Sequence, residues 1–469
     1  MSHTYCCGTP WAKYGVLAFV IVGGAAGGLY LSSGWSDQAA APVVQRDPDA
    51  KMVPRSATTQ RFALTSFDVK DQTEAPAVAA DSNGRIYLVW SSQMSDSEKR
   101  LNFSRTDDEG KFAVATTIAR TGIVKFPAQM KGKPITRDSR LMPHVAVANG
   151  AVHLAWTEAL PDLSGIRMVL AASTDDGATF GPPLRVHQSA IARPTYTAMA
   201  VSADGAISCS WLDNRDNVQQ AVAAVREAGK ATFSLETLIH AGDGGRGVCP
   251  CCPTSEAIDA DGTVYVAFRN IEDGFRDIAI SRKKRGETKF DGPFPVIPPT
   301  WKFDGCPHDG ASMAIVGDVL HIVWMDARSG SQRCYYGWSK TSDLKFETHE
   351  LNPVIEGTQG NAKIHADRSG RLHLVWEQSV GSALADDSKH RHGPPQTGAG
   401  GGRAIMYATL SPGSDRFSSP RAVVAKEGVF QTRPTVTSKG SEIFVAWNEL
   451  DESGKAIVVA KVDLAGERP

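Results

Sequence analysis

The chain has 469 residues, a formal net charge of −1 and 22% charged residues. This length suits one very large domain or two to three ordinary ones. The lack of net positive charge excludes the electrostatic footprint of a nucleic-acid-binding protein, so we expect no nucleic-acid partner. With 44 glycines and 26 prolines, the composition is typical of a turn-rich all-β protein.

An apolar, uncharged segment, Tyr14–Leu31, stands near the N-terminus. Its length suits a helix that crosses a bilayer. Lys13 before it and Asp37 after it favour an N-terminus in the cytoplasm. Small residues at Gln38–Ala41 could also serve as a signal-peptidase site, so a cleaved signal peptide remains an alternative.

The chain is accordingly expected to have three regions: a cytoplasmic tip with a transmembrane segment or signal anchor (1–36), a linker (37–58) and an exported domain (59–469). An uncleaved anchor gives a single-pass protein of the cell membrane, with this domain in the periplasm or outside the cell. A cleaved signal gives a secreted protein. In either case the membrane interacts only with the N-terminal segment.

One pattern recurs through the exported domain. A short apolar segment is followed by a tight turn, an alternating segment that ends in an aromatic residue, and a polar loop. Turns such as Asp81-Ser-Asn-Gly84 and Ala203-Asp-Gly205 contain the Asn-Gly or Asp-Gly pairs that tight hairpins favour. The aromatic anchors are Trp90, Trp156, Trp211, Phe268, Trp324, Trp376 and Trp447. Their spacing is close to the length of one four-stranded propeller blade with its loops.

Such units cannot bury both faces alone, whereas a closed ring lets each pack on the next. The pattern therefore predicts an all-β, seven-bladed β-propeller, or a six-bladed one if an anchor lies in an insertion. The last unit, Pro434–Leu464, supplies only three strands. The segment Gln60–Phe67 is predicted to pair with it and close the ring. A helical period of 3.6 residues does not persist anywhere after the apolar segment.

A turn motif then indicates a family. The sequence Ser173-Thr-Asp175-Asp-Gly177-Ala-Thr-Phe180 resembles the Asp-box of sialidase-like (BNR repeat) propellers, and variants occur at Ser104–Phe112 and Ser339–Phe346. The resemblance implies that the box joins the third and fourth strands of a blade. Ser173, Asp175 and Gly177 would hold the turn, and the Phe180 ring would pack between sheets. This is evidence for fold and not for activity.

Enzymes of that family clamp a carboxylate with three arginines and use a Tyr–Glu nucleophile pair and an Asp acid/base. The Phe/Tyr-Arg-Ile-Pro motif that usually carries the first arginine is missing here. Arg193-Pro194 and Arg433-Pro434 are partial matches, and Arg140 lies close to Pro143. The late-blade tyrosine is replaced by the stretch Gln359–Lys363. The sequence therefore leaves enzymatic activity undecided, with an exo-sialidase or related glycoside hydrolase as an alternative and no catalytic residue assigned.

The loops that lead into the first strand of each blade share the face on which propellers usually bind ligands, as do those joining the second and third strands. Cys249, Cys251 and Cys252 precede the first strand of the fourth unit, and Cys306 and His308 precede that of the fifth. Adjacent blades should bring these residues together. An insertion in the sixth unit adds His390 and His392 on the same face as further candidate ligands.

Three interpretations of this cluster remain open. Thiolates with imidazole suit a Cu(I) or Zn(II) site, and soft sulfur favours copper. Exported cysteines also commonly form structural disulfides, here from Cys249 or Cys252 to Cys306 or between Cys251 and Cys252. The Cys-x-x-Cys spacing of residues 249–252 allows a redox role, although that motif normally opens a helix. We prefer the metal interpretation.

Charged pairs follow the anchors on the same face: Asp213 with Arg215, Asp326 with Arg328, and Arg269 after Phe268. They are either ion pairs between blades or a site for a small anionic or glycan ligand. Together these patterns predict a membrane-anchored propeller with a Cys/His site that binds Cu, Zn or a ligand. The third alternative is a disulfide-stapled scaffold that binds a protein partner.

Overall fold

The computed structural model describes residues 57–64, 74–130, 133–215, 219–242, 247–351, 357–381 and 401–463. These residues form 31 β-strands, and no α-helix occurs among them. Nor do they include a helix long and apolar enough to span a membrane. The segment Tyr14–Leu31 and the linker up to Ser56 lie outside the described residues, so the transmembrane prediction stays a prediction.

Most of the strands pair antiparallel in consecutive groups of four, and a single parallel bridge, Arg403 opposite Phe430, joins the last two groups into one eight-stranded sheet. The first three groups are β2 (Ala77–Ala80), β3 (Ile86–Gln93), β4 (Glu98–Arg105) and β5 (Thr116–Gly122); β8 (His144–Ala148), β9 (Ala151–Ala159), β10 (Ile166–Ser173) and β11 (Leu184–Arg185); and β12 (Thr195–Val201), β13 (Ile207–Asp213), β14 (Gln220–Arg226) and β15 (Thr237–Ala241). A hairpin that the sequence analysis did not predict, β6 (Lys125–Met130) with β7 (Lys133–Asp138), separates the first two groups.

The fourth and fifth groups are β17 (Ser255–Ile258), β18 (Val264–Ile271), β19 (Ile278–Lys283) and β20 (Asp291–Pro295); and β21 (Ser312–Val316), β22 (Val319–Asp326), β23 (Arg333–Lys340) and β24 (Glu347–Glu350). A short strand, β16 (Gly247–Val248), also pairs with β18. The sixth group is β25 (Gln359–Ala366), β26 (Leu372–Gly381), β27 (Gly401–Leu410) and β28 (Arg421–Ala422). The seventh is β29 (Phe430–Lys439), β30 (Glu442–Asp451), β31 (Gly454–Asp463) and β1 (Thr58–Ala63).

The first strands of these groups contact one another in cyclic order. β2 contacts β8, β8 contacts β12, and the series continues through β17, β21, β25 and β29 back to β2. A cycle of this kind places the first strands around a central axis, with the sheets radiating from it. The described part of the chain is therefore all-β, with a propeller-type arrangement of small sheets. We call the segment before each first strand its leading loop, and the side of the ring that carries the leading loops the channel face.

The N-terminal strand joins the C-terminal sheet, as predicted from the three-stranded last unit. β1 pairs antiparallel with β31, from Thr58 opposite Lys461 to Ala63 opposite Ala456. The Phe62 ring also reaches the first group, where its centroid lies 4.9 Å from that of Trp90. Main-chain pairing to one group and side-chain packing on the next thus join the two ends of the chain.

The aromatic anchors have the predicted place. Each lies in the second strand of its group and is buried. In four groups the indole N–H donates to an acidic side chain two residues later, as Trp211 Nε1 does to Asp213 Oδ2 at 2.9 Å. A buried indole needs such an acceptor, so the Trp-x-Asp/Glu pattern is a repeated structural element.

The Asp-box joins β10 to β11, between the third and fourth strands of its group. The Asp175 carboxylate accepts from Thr179 N at 2.9 Å, and Ser173 Oγ accepts from Gly177 N at 2.7 Å. Phe180 packs edge-on against Phe103 of the first group, with ring centroids 5.2 Å apart. The box therefore closes a turn and also joins two sheets, which is the structural role that the resemblance implied.

We predict that Phe62→Ala weakens closure of the ring. Loss of a largely apolar contact between two sheets should lower the free energy of unfolding by about 2 kcal/mol, measured by chemical denaturation. Val114→Ala is the control, because Val114 is 90% exposed and its truncation should leave the midpoint unchanged. Equal midpoints for both variants would show that Phe62 contributes nothing to closure.

Candidate functional site

The three cysteines of the fourth group lie in its leading loop, between β16 and β17. Cys249 N donates to Arg269 O at 2.8 Å, which fixes the start of the loop to β18. At its end, Thr254 N donates to Tyr196 O of the third group at 3.2 Å. Cys249, Cys251 and Cys252 are each no more than 1% exposed. The loop thus turns its sulfur atoms inward, away from solvent.

The sulfur atoms converge as the sequence predicted. Cys249 Sγ lies 3.6 Å from Cys251 Sγ and 3.4 Å from Cys252 Sγ. These three atoms lie within 4.8 Å of one another, and so do the ligand atoms of Cys251, Cys306 and His308. Cys306 and His308 come from the leading loop of the fifth group. The two sets share Cys251, so two neighbouring leading loops build one cluster of five donors.

The six cysteines that the structure describes carry free thiols. A disulfide requires sulfur atoms about 2.05 Å apart, and the Cys249 contacts are longer than that. Cys306 hydrogen-bonds with Cys251. Cys209 and Cys334 lie in strands outside these loops and are fully buried, Cys209 in the core between the second and third groups and Cys334 in the core between the fifth and sixth.

Two guanidinium groups supply positive charge to the sulfur cluster. Arg276 Nη1 donates to Cys249 Sγ at 3.3 Å. Arg269 is fully buried and donates to the carbonyl oxygens of Arg276, Asp309 and Met325 at 2.8–3.2 Å. Its guanidinium also stacks over the Trp301 ring, 5.3 Å from the centroid. Arg269 therefore joins the fourth and fifth groups and is held by carbonyl dipoles at the base of the cluster.

This environment separates the pKa values of the thiols. Hydrogen bonds from the Cys251 and Cys252 thiols, aided by the positive charge of Arg276, hold the pKa of Cys249 well below its ordinary value. The hydrogen bond with Cys249 raises the pKa of Cys251, and burial raises that of Cys252. Contact with Cys251 lowers the pKa of Cys306. The cluster therefore stabilises a thiolate at Cys249, and thiolate is the form that binds soft metals.

The leading loop of the fifth group is fixed on both sides. His308 has a left-handed backbone conformation, with φ of 56°. Asp309 is buried, and its carboxylate accepts from Asn361 N of the sixth group at 2.7 Å. A Cβ atom on Gly310 would lie 2.3 Å from Pro253 O, directly after the cysteine loop. Only glycine allows the two loops to approach this closely.

The predicted acid–arginine pairs have a different arrangement. Arg215 Nε donates to Asp213 Oδ2 at 3.0 Å, and Arg328 Nε donates to Asp326 Oδ1 at 2.9 Å. Both carboxylates also accept from the tryptophan two residues earlier. Each pair lies within one group and does not bridge two. Because these buried carboxylates already accept several hydrogen bonds, the pairs support the strand ends. His390 and His392 lie outside the described residues.

A second set of polar residues on the channel face was missed as a site by the sequence analysis. Arg140 Nη1 lies 3.1 Å from Glu74 Oε1, and Arg433 Nη1 lies 3.4 Å from Glu74 Oε2. Glu377 Oε1 accepts from Asn361 Nδ2 at 2.7 Å and from Arg433 N at 2.6 Å. The only sequence feature that pointed to this site was an arginine close to a proline at the start of a strand, as at Arg140 and Arg433. The acidic partners come from other groups and carry no local pattern.

The backbone is unusual at the same level of the ring. Tyr196, Asn361 and Arg433 have φ values of 49–54°, and each lies at a register shift in the first strand of its group. Such bulges redirect side chains and are frequent at functional sites. The Arg140 guanidinium stacks over the Tyr196 ring at 5.0 Å. Burial raises the pKa of Tyr196 to about 12, so its phenol stays protonated at neutral pH.

No protein-family model and no curated protein matches this chain. Solved structures that are similar in fold include a protein of unknown function from Dyadobacter fermentans, with a TM-score of 0.47 and 12% identity over 86% of this chain and 97% of that chain. Polysaccharide lyase Uly1 has a TM-score of 0.48 and 11% identity, and the match covers 87% of this chain and 99% of that chain. A Trypanosoma rangeli sialidase has a TM-score of 0.42 and 12% identity, and the match covers 73% of this chain and 58% of that chain.

A sialidase is thus among the solved structures that are similar to this chain in fold. Identities of 11–12% and TM-scores below 0.5 say nothing about activity. The propeller-type architecture is instead established by the strand pairing and the cyclic contacts of this chain itself.

We predict that Gly310→Ala separates the two leading loops of the cluster. The added methyl group overlaps the carbonyl oxygen of Pro253, the residue that follows Cys252, so the midpoint of thermal denaturation should fall. Gly165→Ala is the control, because its Cβ atom would make only an ordinary contact of 3.5 Å with Leu160. An unaffected Gly310→Ala variant would contradict the proposed close packing of these loops.

Proposed function

We propose that this protein is a membrane-anchored, seven-bladed propeller that binds a soft transition metal ion, Cu(I) or Zn(II), through Cys249, Cys251, Cys252, Cys306 and His308. Each group of four strands would form one blade, and the propeller would lie in the periplasm or outside the cell. The observation that carries the proposal is the convergence of four thiols and one imidazole from two leading loops. Thiolate and imidazole are the ligands that these ions prefer.

Preorganisation supports this proposal. Metal ions bind tightly where the ligands are already gathered and their charge is already compensated. Here the loops are held by Arg269, by Asp309 and by the close approach at Gly310. Arg276 lies against the sulfur with the lowered pKa. The free energy needed to bring several thiolates together is therefore supplied by folding of the chain and does not reduce the affinity for the metal.

A second ligand, a small anion or an acidic glycan, is favoured by the arginines on the channel face. The side chains of Arg140 and Arg433 remain 25% and 23% exposed, while the carboxylate of Glu74 beneath them is 6% exposed. Two partly exposed guanidinium groups beside a buried carboxylate can attract an incoming oxyanion. The arginine motif and the late-blade tyrosine of sialidase enzymes are both missing from the sequence, so we propose ligand binding and not sialoside cleavage.

The experiment measures metal and free thiols in the full-length protein, purified anaerobically without added metal. At least one equivalent of copper or zinc per chain is expected, together with its loss in Cys251→Ala, since Cys251 belongs to both donor sets. Cys209→Ala is the matched control, because Cys209 is an equally buried cysteine outside the cluster and its variant should keep the metal.

Two results would overturn the proposal. Absence of both metal and free thiols at the cluster would identify a disulfide-stapled interaction scaffold. Turnover of a fluorogenic sialoside that survives Cys251→Ala and needs no metal would identify a glycoside hydrolase. Thermal denaturation of each variant separates loss of a ligand from loss of the fold.

A further inference from the structure

We propose that the cluster is a two-ion Cu(I) centre in which the Cys251 thiolate bridges an inner ion held with Cys249 and Cys252 and an outer ion held with Cys306 and His308. This inference rests on the proposed metal-binding function and specifies its stoichiometry and metal. The carrying observation is that the donors form two sets of three, each within 4.8 Å, which share Cys251. Five donors with one of them shared supply three bonds to each of two ions.

The coordination number favours monovalent copper. A structural zinc site takes four protein ligands in a tetrahedron, which two sets of three donors cannot supply to two ions. Soft thiolates select Cu(I), and Cu(I) accepts three ligands in a plane. Donors about 2.3 Å from an ion lie about 4 Å from one another in that geometry. The distances of 3.4 and 3.6 Å at Cys249 would need only a small expansion.

Charge balance points the same way. Four thiolates carry four negative charges, and two Cu(I) ions with the guanidinium groups of Arg269 and Arg276 carry four positive ones. Both arginines are buried beside the sulfur atoms, where uncompensated charge is costly. Of the nearby carboxylates, Asp326 is paired with Arg328, and Asp309 accepts from Asn361 N and has Lys363 as a cationic neighbour. With the same thiolates and arginines, two divalent ions would leave an excess of positive charge in this buried volume. A single Cu(I) ion would leave an excess of negative charge there.

The two positions differ in exposure. Cys249, Cys251 and Cys252 are buried, whereas Cys306 and His308 are partly exposed. The outer ion would therefore face the channel and exchange with solvent-borne ligands, while the inner ion would be enclosed. A loss confined to the outer donors should release one ion and leave the other.

The test is an anaerobic titration of the metal-free, full-length protein with Cu(I), in competition with a chromophoric Cu(I) chelator. Two equivalents are expected for the unmodified protein and for the control Cys209→Ala. Cys306→Ala, His308→Ala and Cys252→Ala are each expected to bind one Cu(I) ion per chain. In these variants the affinity for a second Cu(I) ion should be at least ten-fold lower. Cys251→Ala should retain neither ion at that affinity.

The outcomes distinguish this inference from the function on which it rests. If the unmodified protein binds neither copper nor zinc, both the two-ion centre and the proposed metal-binding function are wrong. One equivalent in the unmodified protein, or retention of one full-affinity ion by Cys251→Ala, would overturn the bridged pair and leave a single metal site. His308→Ala is the variant that should still fold, because His308 is partly exposed and lies outside the packed core. Its retention of two equivalents would also exclude the outer site.

Discussion

Closure of the ring is the constraint on which the rest of the structure depends. A four-stranded sheet cannot bury both faces by itself, so each group relies on its two neighbours. The first and last groups pack directly on each other through β2 and β29, and the pairing of β1 with β31 and the contact of Phe62 with Trp90 add to this closure. Once the cycle is closed, all leading loops lie on one face. Residues distant in sequence, such as Glu74 and Arg433, then come within bonding distance.

The contact between the fourth and fifth groups is polar at the channel face. Arg269 is buried there without a direct carboxylate partner among its described hydrogen bonds, and it donates to three backbone carbonyl groups. A buried cation in this environment favours nearby anions. Hydrogen bonds from Cys251 and Cys252 are the main cause of the lowered pKa of Cys249, and the positive charges of Arg276 and Arg269 add to their effect. The residue that joins two sheets thus also adds positive charge beside the sulfur cluster.

Much of the fold could be predicted from local pattern. Each aromatic anchor lies in a second strand, the Asp-box lies between a third and a fourth strand, and the N-terminal strand completes the last group. These features depend on alternation, turn residues and spacing, which are properties of short segments. The hairpin of β6 and β7 escaped prediction because it lies outside the repeat. The role of the Asp213 and Asp326 pairs also required the structure, since spacing alone does not show which donors reach a carboxylate.

By itself, the sequence determined the class of fold, the strand that closes the ring and the meeting of Cys249, Cys251 and Cys252 with Cys306 and His308. It could do so because equivalent positions in adjacent repeats must be neighbours. Only the tertiary structure decided that Cys251 is shared by two donor sets, that Arg276 contacts Cys249, and that Glu74 lies between Arg140 and Arg433. These contacts depend on side-chain direction and on the closed path of the ring, which local sequence does not encode.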